Sequence, residues 1–168
     1  TNSITLNYGN AVDDDGGDNI TWSVSINNNT MATVSIRESN ILQIKTNSAL
    51  GEATITLTAT DSRGASTDKN IRLRIAPPKP TVTWPTVSAK NTTNVTEVSI
   101  TLPSGITEWE YSTDNGSNFV AGSGATFNLD VKTYEANSIH VRTKKNSVVS
   151  ESEKNVSKII IDKTKPIV

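Results

Sequence analysis

The sequence predicts an all-β protein built from two tandem β-sandwich domains joined by a short Pro-rich linker. Thr, Ser and Asn make up about a third of the 168 residues, and Thr favours strands while Asn and Ser favour turns. Apolar residues recur at every second position, and no stretch shows the 3.6-residue period of a helix. Three prolines between Ala76 and Pro80 separate two halves, 1–77 and 78–168, each the size of a small sandwich.

The first half contains six predicted strands. In one of them Ile20, Trp22, Val24 and Ile26 alternate with hydroxyl residues, which directs one apolar row inward. Clusters of Asn, Asp, Ser and Gly separate the runs and predict turns. The strands are expected at Ser3–Tyr8, Asn19–Ile26, Ala32–Arg37, Ile41–Thr46, Ala53–Thr60 and Asp68–Ile75.

The second half shows the same alternation in seven runs. Trp109 and Tyr111 share a face that points inward, and Trp22 and Trp109 are both expected to fill cores. The turn Asp114–Ser117 predicts a hairpin with Gly116 in the left-handed conformation. The strands are expected at Thr81–Val87, Glu97–Leu102, Glu108–Thr113, Phe119–Ala121, Thr126–Leu129, Ser138–Thr143 and Asn155–Asp162.

The segment Ala76–Pro80 predicts a stiff, extended connector, because proline fixes its own backbone and cannot donate to a ladder. The C-terminal segment Asp162–Val168 has the composition of a second linker. We therefore expect this chain to be one part of a tandem array of domains.

Composition argues against several classes of function. The chain has no Cys, which excludes a disulfide framework and a thiolate metal site, and its single His argues against a His-based catalytic triad. The net charge of −1 offers no basic field for nucleic acid, and no apolar run is long enough to insert in a membrane. His140, Glu108 and Glu110 are expected on outward strand faces, and we expect no enzyme activity.

Two segments of the first half carry a resemblance to a known family. Val12–Val24 reads VDDDGGDNITWSV, and Gly51–Ser66 reads GEATITLTATDSRGAS. Together they resemble the cadherin-like, immunoglobulin-type domains of large bacterial surface proteins, which show an Asp-x-Asp-Gly-Asp entry to one strand and a Gly-x-Ala-x-Ile-x-Val-x-Ala-x-Asp strand and loop. The resemblance covers most of 1–77.

The second half resembles another bacterial immunoglobulin-like repeat. Trp109–Phe119 reads WEYSTDNGSNF, and Thr133–Arg142 reads TYEANSIHVR. Such repeats form long arrays in adhesins of the biofilm and RTX type. Where the family follows the Arg with an acidic loop, this chain has Lys144 and Lys145, so no calcium ligand is expected there.

The acidic segment that contains Asp13, Asp14, Asp15 and Asp18 is a candidate Ca²⁺ site. Ca²⁺ takes six to eight oxygen ligands, and carboxylates of a turn can converge on it. The resemblance to cadherin-like domains implies that Asp61 lies at the same pole of the sandwich. We therefore expect a metal site formed by Asp13, Asp15, Asp18 and Asp61; the alternative is an exposed Asx-rich turn.

The first predicted strand of the chain resembles the second strand of the family. An immunoglobulin-type sandwich has seven strands, whereas six are predicted in 1–77. One edge is therefore expected to be open, and an open edge allows pairing with another chain.

These inferences combine into a non-catalytic extender segment of a bacterial cell-surface adhesin, which projects a distal binding domain for adhesion or biofilm formation and is stiffened by calcium. Its expected location is extracellular, and its expected partners are neighbouring domains of the same chain and a second copy. Two alternatives remain open. In the first, the chain is a module that binds glycan or peptide through the loops Lys90–Thr96 or Val120–Gly124. In the second, it is an accessory domain of a secreted enzyme.

Overall fold

The computed structural model describes residues 2–8, 19–38 and 40–164. Every regular element in these ranges is a β-strand. The chain divides into two compact units, residues 1–75 and 76–168, and the division falls two residues before the limit expected from the prolines.

Unit 1 contains two three-stranded antiparallel sheets, with strand orders β1-β4-β3 and β2-β5-β6. In the immunoglobulin fold one sheet takes strands A, B, E and D and the other takes C, F and G. The described residues of unit 1 have this arrangement and include no strand A. Its strands are β1 Ser3–Asn7, β2 Thr21–Ile26, β3 Ala32–Arg37, β4 Ile41–Thr46, β5 Gly51–Thr60 and β6 Ser66–Ile75.

The core of unit 1 is aliphatic and lies between its two sheets. Leu42 and Ile44 of β4 face Ile55 of β5 and Leu73 of β6, and all four are buried. Trp22 differs from expectation, since it is only half-buried. The physical reason is that β2 is an edge strand of the described sheet β2-β5-β6, so that its apolar row is covered on one side only. Trp22 packs on Tyr8, with ring centroids 4.6 Å apart.

Unit 2 has shorter strands arranged in three sheets, with orders β7-β9-β12, β11-β10-β14-β15 and β13-β17-β8; β16 also pairs with β14. The first two sheets correspond to strands A, B and E and to strands C, F and G with an added edge strand. The strands are β7 Thr81–Thr83, β8 Thr92–Thr93, β9 Glu97–Thr101, β10 Glu108–Ser112, β11 Val120–Ala121, β12 Thr126–Asn128, β13 Thr133–Tyr134, β14 His140–Lys145, β15 Val148–Val149, β16 Glu153–Lys154 and β17 Ile159–Ile161.

The core of unit 2 is mainly aliphatic and contains an aromatic cluster. Trp109 is 4% exposed and lies 6.0 Å from Phe127 between ring centroids, and Tyr111 stacks on Phe127 at 4.1 Å. Tyr134 donates from its hydroxyl to the Asp130 carbonyl at 3.4 Å and accepts from the Asp130 N–H at 2.9 Å. This is the tyrosine corner of immunoglobulin sandwiches, and it confirms the all-β, immunoglobulin-like architecture expected for this half.

Several strands of unit 2 are shorter than predicted. β7 ends at Thr83 rather than Val87, because Pro85 follows and cannot donate to the sheet. β17 covers only Ile159–Ile161, since the chain up to Asn155 pairs with β14 instead: Lys154 lies opposite His140, and the Asn155 N–H donates to the Ile139 carbonyl at 3.3 Å.

Candidate functional site

Asp61 is the one residue of the expected metal site that the structure describes. Asp13, Asp15 and Asp18, together with Asp14, lie outside the described residues. Within the described ranges, no group of three or more His, Cys, Asp or Glu residues is arranged to hold a metal ion. The site of four carboxylates therefore stays a prediction.

The carboxylate of Asp61 organises the loop between β5 and β6. Its Oδ1 atom accepts the N–H groups of Arg63 at 2.9 Å and Ala65 at 2.8 Å, and its own N–H donates to the Ala65 carbonyl at 2.9 Å. These bonds fix the carboxylate at the end of β5. Since Thr60 pairs with Thr21, this is also the end of the sheet at which β2 begins.

The predicted hairpin at Asp114 is confirmed, with Asn115 and Gly116 both at positive φ, 62° and 79°. The Asp114 carboxylate accepts from the Ser112 hydroxyl at 2.5 Å and from both nitrogens of Asn118, at 2.9 Å and 2.6 Å. These bonds hold the pKa of Asp114 well below its usual range, and the Ser112 hydroxyl makes the largest contribution. The acidic side chain is thus used to close the turn.

A charged and aromatic cluster lies on the face of unit 2 formed by β10 and β14. Glu110 and Arg142 are cross-strand neighbours joined by an ion pair of 2.5 Å, and their side chains are 15% and 26% exposed. The Arg142 guanidinium stacks over the Phe119 ring at 3.5 Å. Glu110 is therefore neutralised by its neighbour, which does not suit a pair of catalytic carboxylates.

The only His of the sequence, His140, belongs to the same face. Its Nε2 atom lies 3.0 Å from the Asn137 carbonyl, so Nε2 carries the proton in the neutral ring. The other ring edge lies against Gly116, where an added Cβ atom would be 2.9 Å from Nδ1. The imidazole is a packing element of the hairpin.

The two loops named as possible ligand sites are fastened by hydrogen bonds. In Val120–Gly124 the Gly122 N–H donates to the Trp109 carbonyl at 2.9 Å, and the Trp109 indole donates to the Gly124 carbonyl at 3.0 Å. In Lys90–Thr96 the Ser88 hydroxyl accepts from the N–H groups of Lys90 and Thr92, both at 3.3 Å. Neither segment contains an aromatic residue.

A polar hollow of about 430 Å³ lies on unit 1 beside the start of β5. It is lined by Asn27, Glu52, Ala53, Thr54, Asn70 and Arg72. Arg72 donates to both carboxylate oxygens of Glu52, at 2.6 Å and 2.7 Å. The neighbouring hydroxyls of Thr56 and Thr58 donate to Asn70 at 2.9 Å and Asp68 at 2.6 Å.

The first residues of unit 2 are bonded to its sandwich. The buried Thr143 hydroxyl donates to the Pro78 carbonyl at 2.6 Å, and Lys79 forms an ion pair with Glu153 at 2.8 Å. The sequence did not predict either contact, because each joins residues far apart in the chain and none of the four residues carries a local signal.

Membrane-spanning helices are absent from the described part of the chain: none of its segments forms a helix of the length and apolarity needed to cross a bilayer.

Comparison with known proteins adds no argument to the strand order described above. No family model matches the sequence, and no curated protein matches it. A solved structure described as the amphioxus IgVJ-C2 molecule aligns over 92% of this chain and 96% of its own, with 13% identity and a TM-score of 0.36. A likeness of this strength carries no argument about function, so the immunoglobulin-like assignment rests on the strand order described above.

Proposed function

We propose that this chain is a non-catalytic extender segment of a bacterial cell-surface adhesin, which carries a distal binding domain away from the cell. The observation that supports the proposal most is the fastening of the Pro-rich connector. Pro78 is bonded to Thr143, and Lys79 is paired with Glu153. A spacer transmits position only if its joints resist bending, and because these bonds hold Pro78 and Lys79 on unit 2, they leave fewer residues of the connector free to bend.

The absence of cysteine from the chain allows a direct test of stiffness. Cysteines introduced at the exposed positions Ser35 and Lys90 carry spin labels, and the width of the distance distribution measures the freedom of the connector. We expect a narrow distribution in the unmodified connector. The pair of changes Thr143→Val and Lys79→Ala should broaden it.

Lys158→Ala is the matched control, since it removes an ion pair of 2.8 Å with Glu135 elsewhere in unit 2. It should leave the distribution unchanged. A further variant with Gly at positions 77, 78 and 80 gives the width of a loose tether. An unmodified chain as broad as that variant would contradict the extender proposal.

The proposal includes calcium bound by Asp13, Asp15, Asp18 and Asp61 as a stiffening ion. Asp61 is fixed at the end of the sheet where β2 begins, which supports its inclusion. Its Oδ1 atom also holds the loop, so Asp61→Ala would disturb folding and binding together. Asp61→Asn keeps a side-chain oxygen as acceptor and removes only the charge.

Thermal unfolding in CaCl₂, MgCl₂ and EDTA tests this part. A ligand at 100 times its Kd adds about 2.7 kcal/mol to the unfolding free energy, so Ca²⁺ should raise the melting temperature of unit 1. Asp15→Asn and Asp61→Asn should abolish the increase, whereas Asp114→Asn in unit 2 should not. Equal melting temperatures in CaCl₂ and EDTA would remove calcium from the proposal.

The second candidate function is binding of a glycan, and the polar hollow on unit 1 favours it. Amide, hydroxyl, carboxylate and guanidinium groups line the hollow, and such groups hydrogen-bond sugar hydroxyls. A glycan array probed with the chain and with Asn70→Ala tests this function. Binding that the substitution removes would support the glycan module, and an array without binding would leave the extender as the better proposal.

A further inference from the structure

The strand β1 has a neighbouring strand on one side only among the described residues. It pairs with β4 in the register Ile4–Ile44, Thr5–Gln43 and Leu6–Leu42. At the two ends of this ladder, Thr46 N–H donates to the Asn2 carbonyl at 2.9 Å and Tyr8 N–H donates to the Asn40 carbonyl at 3.2 Å. In an antiparallel pair the bonded residues alternate, so even-numbered residues of β1 bond to β4, and the N–H and C=O groups of Thr5 point away from the sheet.

The apolar side chains of β1 are exposed to an unusual degree. Ile4 is 44% exposed and Leu6 is 39% exposed, although both lie on the face that packs into the core. The equivalent strand of unit 2 is β9, which has a neighbour on each side. Its inward residues Val98 and Ile100 are only 0% and 5% exposed. The comparison indicates that β1, among the residues that the structure describes, is without the cover that a further strand gives β9.

We propose that a second copy of this chain supplies this strand, by antiparallel pairing of β1 with β1 about a two-fold axis at Thr5. The outward N–H and C=O groups of Thr5 then bond to those of Thr5 in the second copy. Ile4 of each copy lies opposite Leu6 of the other, in the closer, non-bonded type of pair. The segment is therefore self-complementary, as a two-fold interface requires.

The charge of this edge also favours self-pairing. Soluble proteins commonly protect edge strands with Lys, Pro or inward-pointing charges. The residues Ser3–Asn7 include no charged residue and no proline, so two copies meet without repulsion between strand residues. Because one short strand buries less surface than the 1,200–2,000 Å² of a stable interface, we expect a weak dimer with a Kd on the order of 100 µM.

Sedimentation equilibrium of the 168-residue chain between about 10 µM and 1 mM covers this affinity range. The dimer fraction should rise with concentration. Thr5→Pro removes the N–H group that points outward and no bond to β4, and proline is tolerated at such an edge position, so this variant should fold and stay monomeric. Thr5→Val keeps the N–H group and should dimerise as the unmodified chain does.

Hydrogen exchange gives a second readout in the unmodified chain. The Thr5 amide should become protected as concentration rises, whereas the Ile4 and Leu6 amides, which already face β4, should not change. A chain that is monomeric at the highest concentration would overturn the proposal. So would Thr5→Pro dimerising as strongly as Thr5→Val, since pairing through another surface would then be responsible.

Discussion

The two units share the pairing of strand B with E and of strand C with F, but they stabilise it by different means. Unit 1 has long, regular strands, with ten residues each in β5 and β6, and an aliphatic core. Unit 2 has several strands of two or three residues, a core that contains an aromatic cluster and buried polar side chains at Ser112, Thr143, Ser150 and Asn155. The difference indicates that unit 2 replaces ladder hydrogen bonds with hydrogen bonds from these buried polar side chains, which we call its polar anchors.

The largest expected effect separates the two tryptophans. Trp109→Ala empties a buried site against Phe127 and Gly122 and should cost unit 2 about 3–5 kcal/mol of unfolding free energy. Trp22→Ala removes a half-buried ring and should cost unit 1 roughly half of that, since less apolar surface is lost. Hydrogen exchange resolved by strand measures the two units in one chain, and equal losses would contradict the difference between the cores.

The next effect tests the polar anchors. The Asn155 side chain, 1% exposed, accepts from the Ile139 N–H at 2.8 Å and donates to the carbonyls of Glu135 at 2.8 Å and Ser157 at 2.9 Å. Asn155→Ala leaves these buried groups without partners, which should lower the unfolding free energy of unit 2 by about 1–3 kcal/mol. Asn94→Ala, at an exposed position, is the control. A loss as small as that of the control in a denaturant titration would mean that unit 2 does not depend on its anchors.

These anchors also mark the limit of what the sequence predicts. Strands β3 and β4 have the limits expected from alternation, because a two-residue period is a local property. The bond from Thr143 to Pro78 joins residues 65 positions apart, and no local pattern encodes such a contact. The two-residue strands β8 and β13 were missed for the same reason, since each exists only through its pairing with β17.

The sequence likewise predicts only part of what the structure shows at the candidate metal site. The resemblance placed Asp61 at the end of a strand, and its loop has that position. The second role of the Asp61 carboxylate, as an acceptor for two backbone N–H groups, depends on the conformation of the loop and carries no signal in the residue types. The acidic segment that would complete the site stays a prediction from sequence.

A smaller effect distinguishes backbone strain from packing in unit 2. Gly116 and Gly105 both have positive φ, 79° and 75°, but only Gly116 has a side chain, that of His140, within 4 Å of an added Cβ atom. Gly105→Ala should lower the unfolding free energy by about 1–2 kcal/mol, because Ala is strained in a left-handed backbone conformation. Gly116→Ala should lower it by about 1 kcal/mol more, because the added methyl group overpacks against His140. His140→Ala should recover this excess when it is combined with Gly116→Ala; if it does not, the imidazole is not what fills the turn.

The smallest effect concerns the pH dependence of stability, and among the described carboxylates it is expected from Asp114 of unit 2. The hydrogen bonds from Ser112 and Asn118 lower the pKa of Asp114 in the folded state, while an unfolded Asp titrates at about 3.9. A lowered folded pKa contributes stability that is complete above about pH 4 and is lost as the pH falls towards the folded pKa. Unit 2 should therefore lose stability below about pH 4, and Asp114→Asn should reduce that dependence while it lowers stability at neutral pH. An Asp114→Asn profile parallel to that of the unmodified chain would show that the Asp114 carboxylate does not set the acid dependence of unit 2.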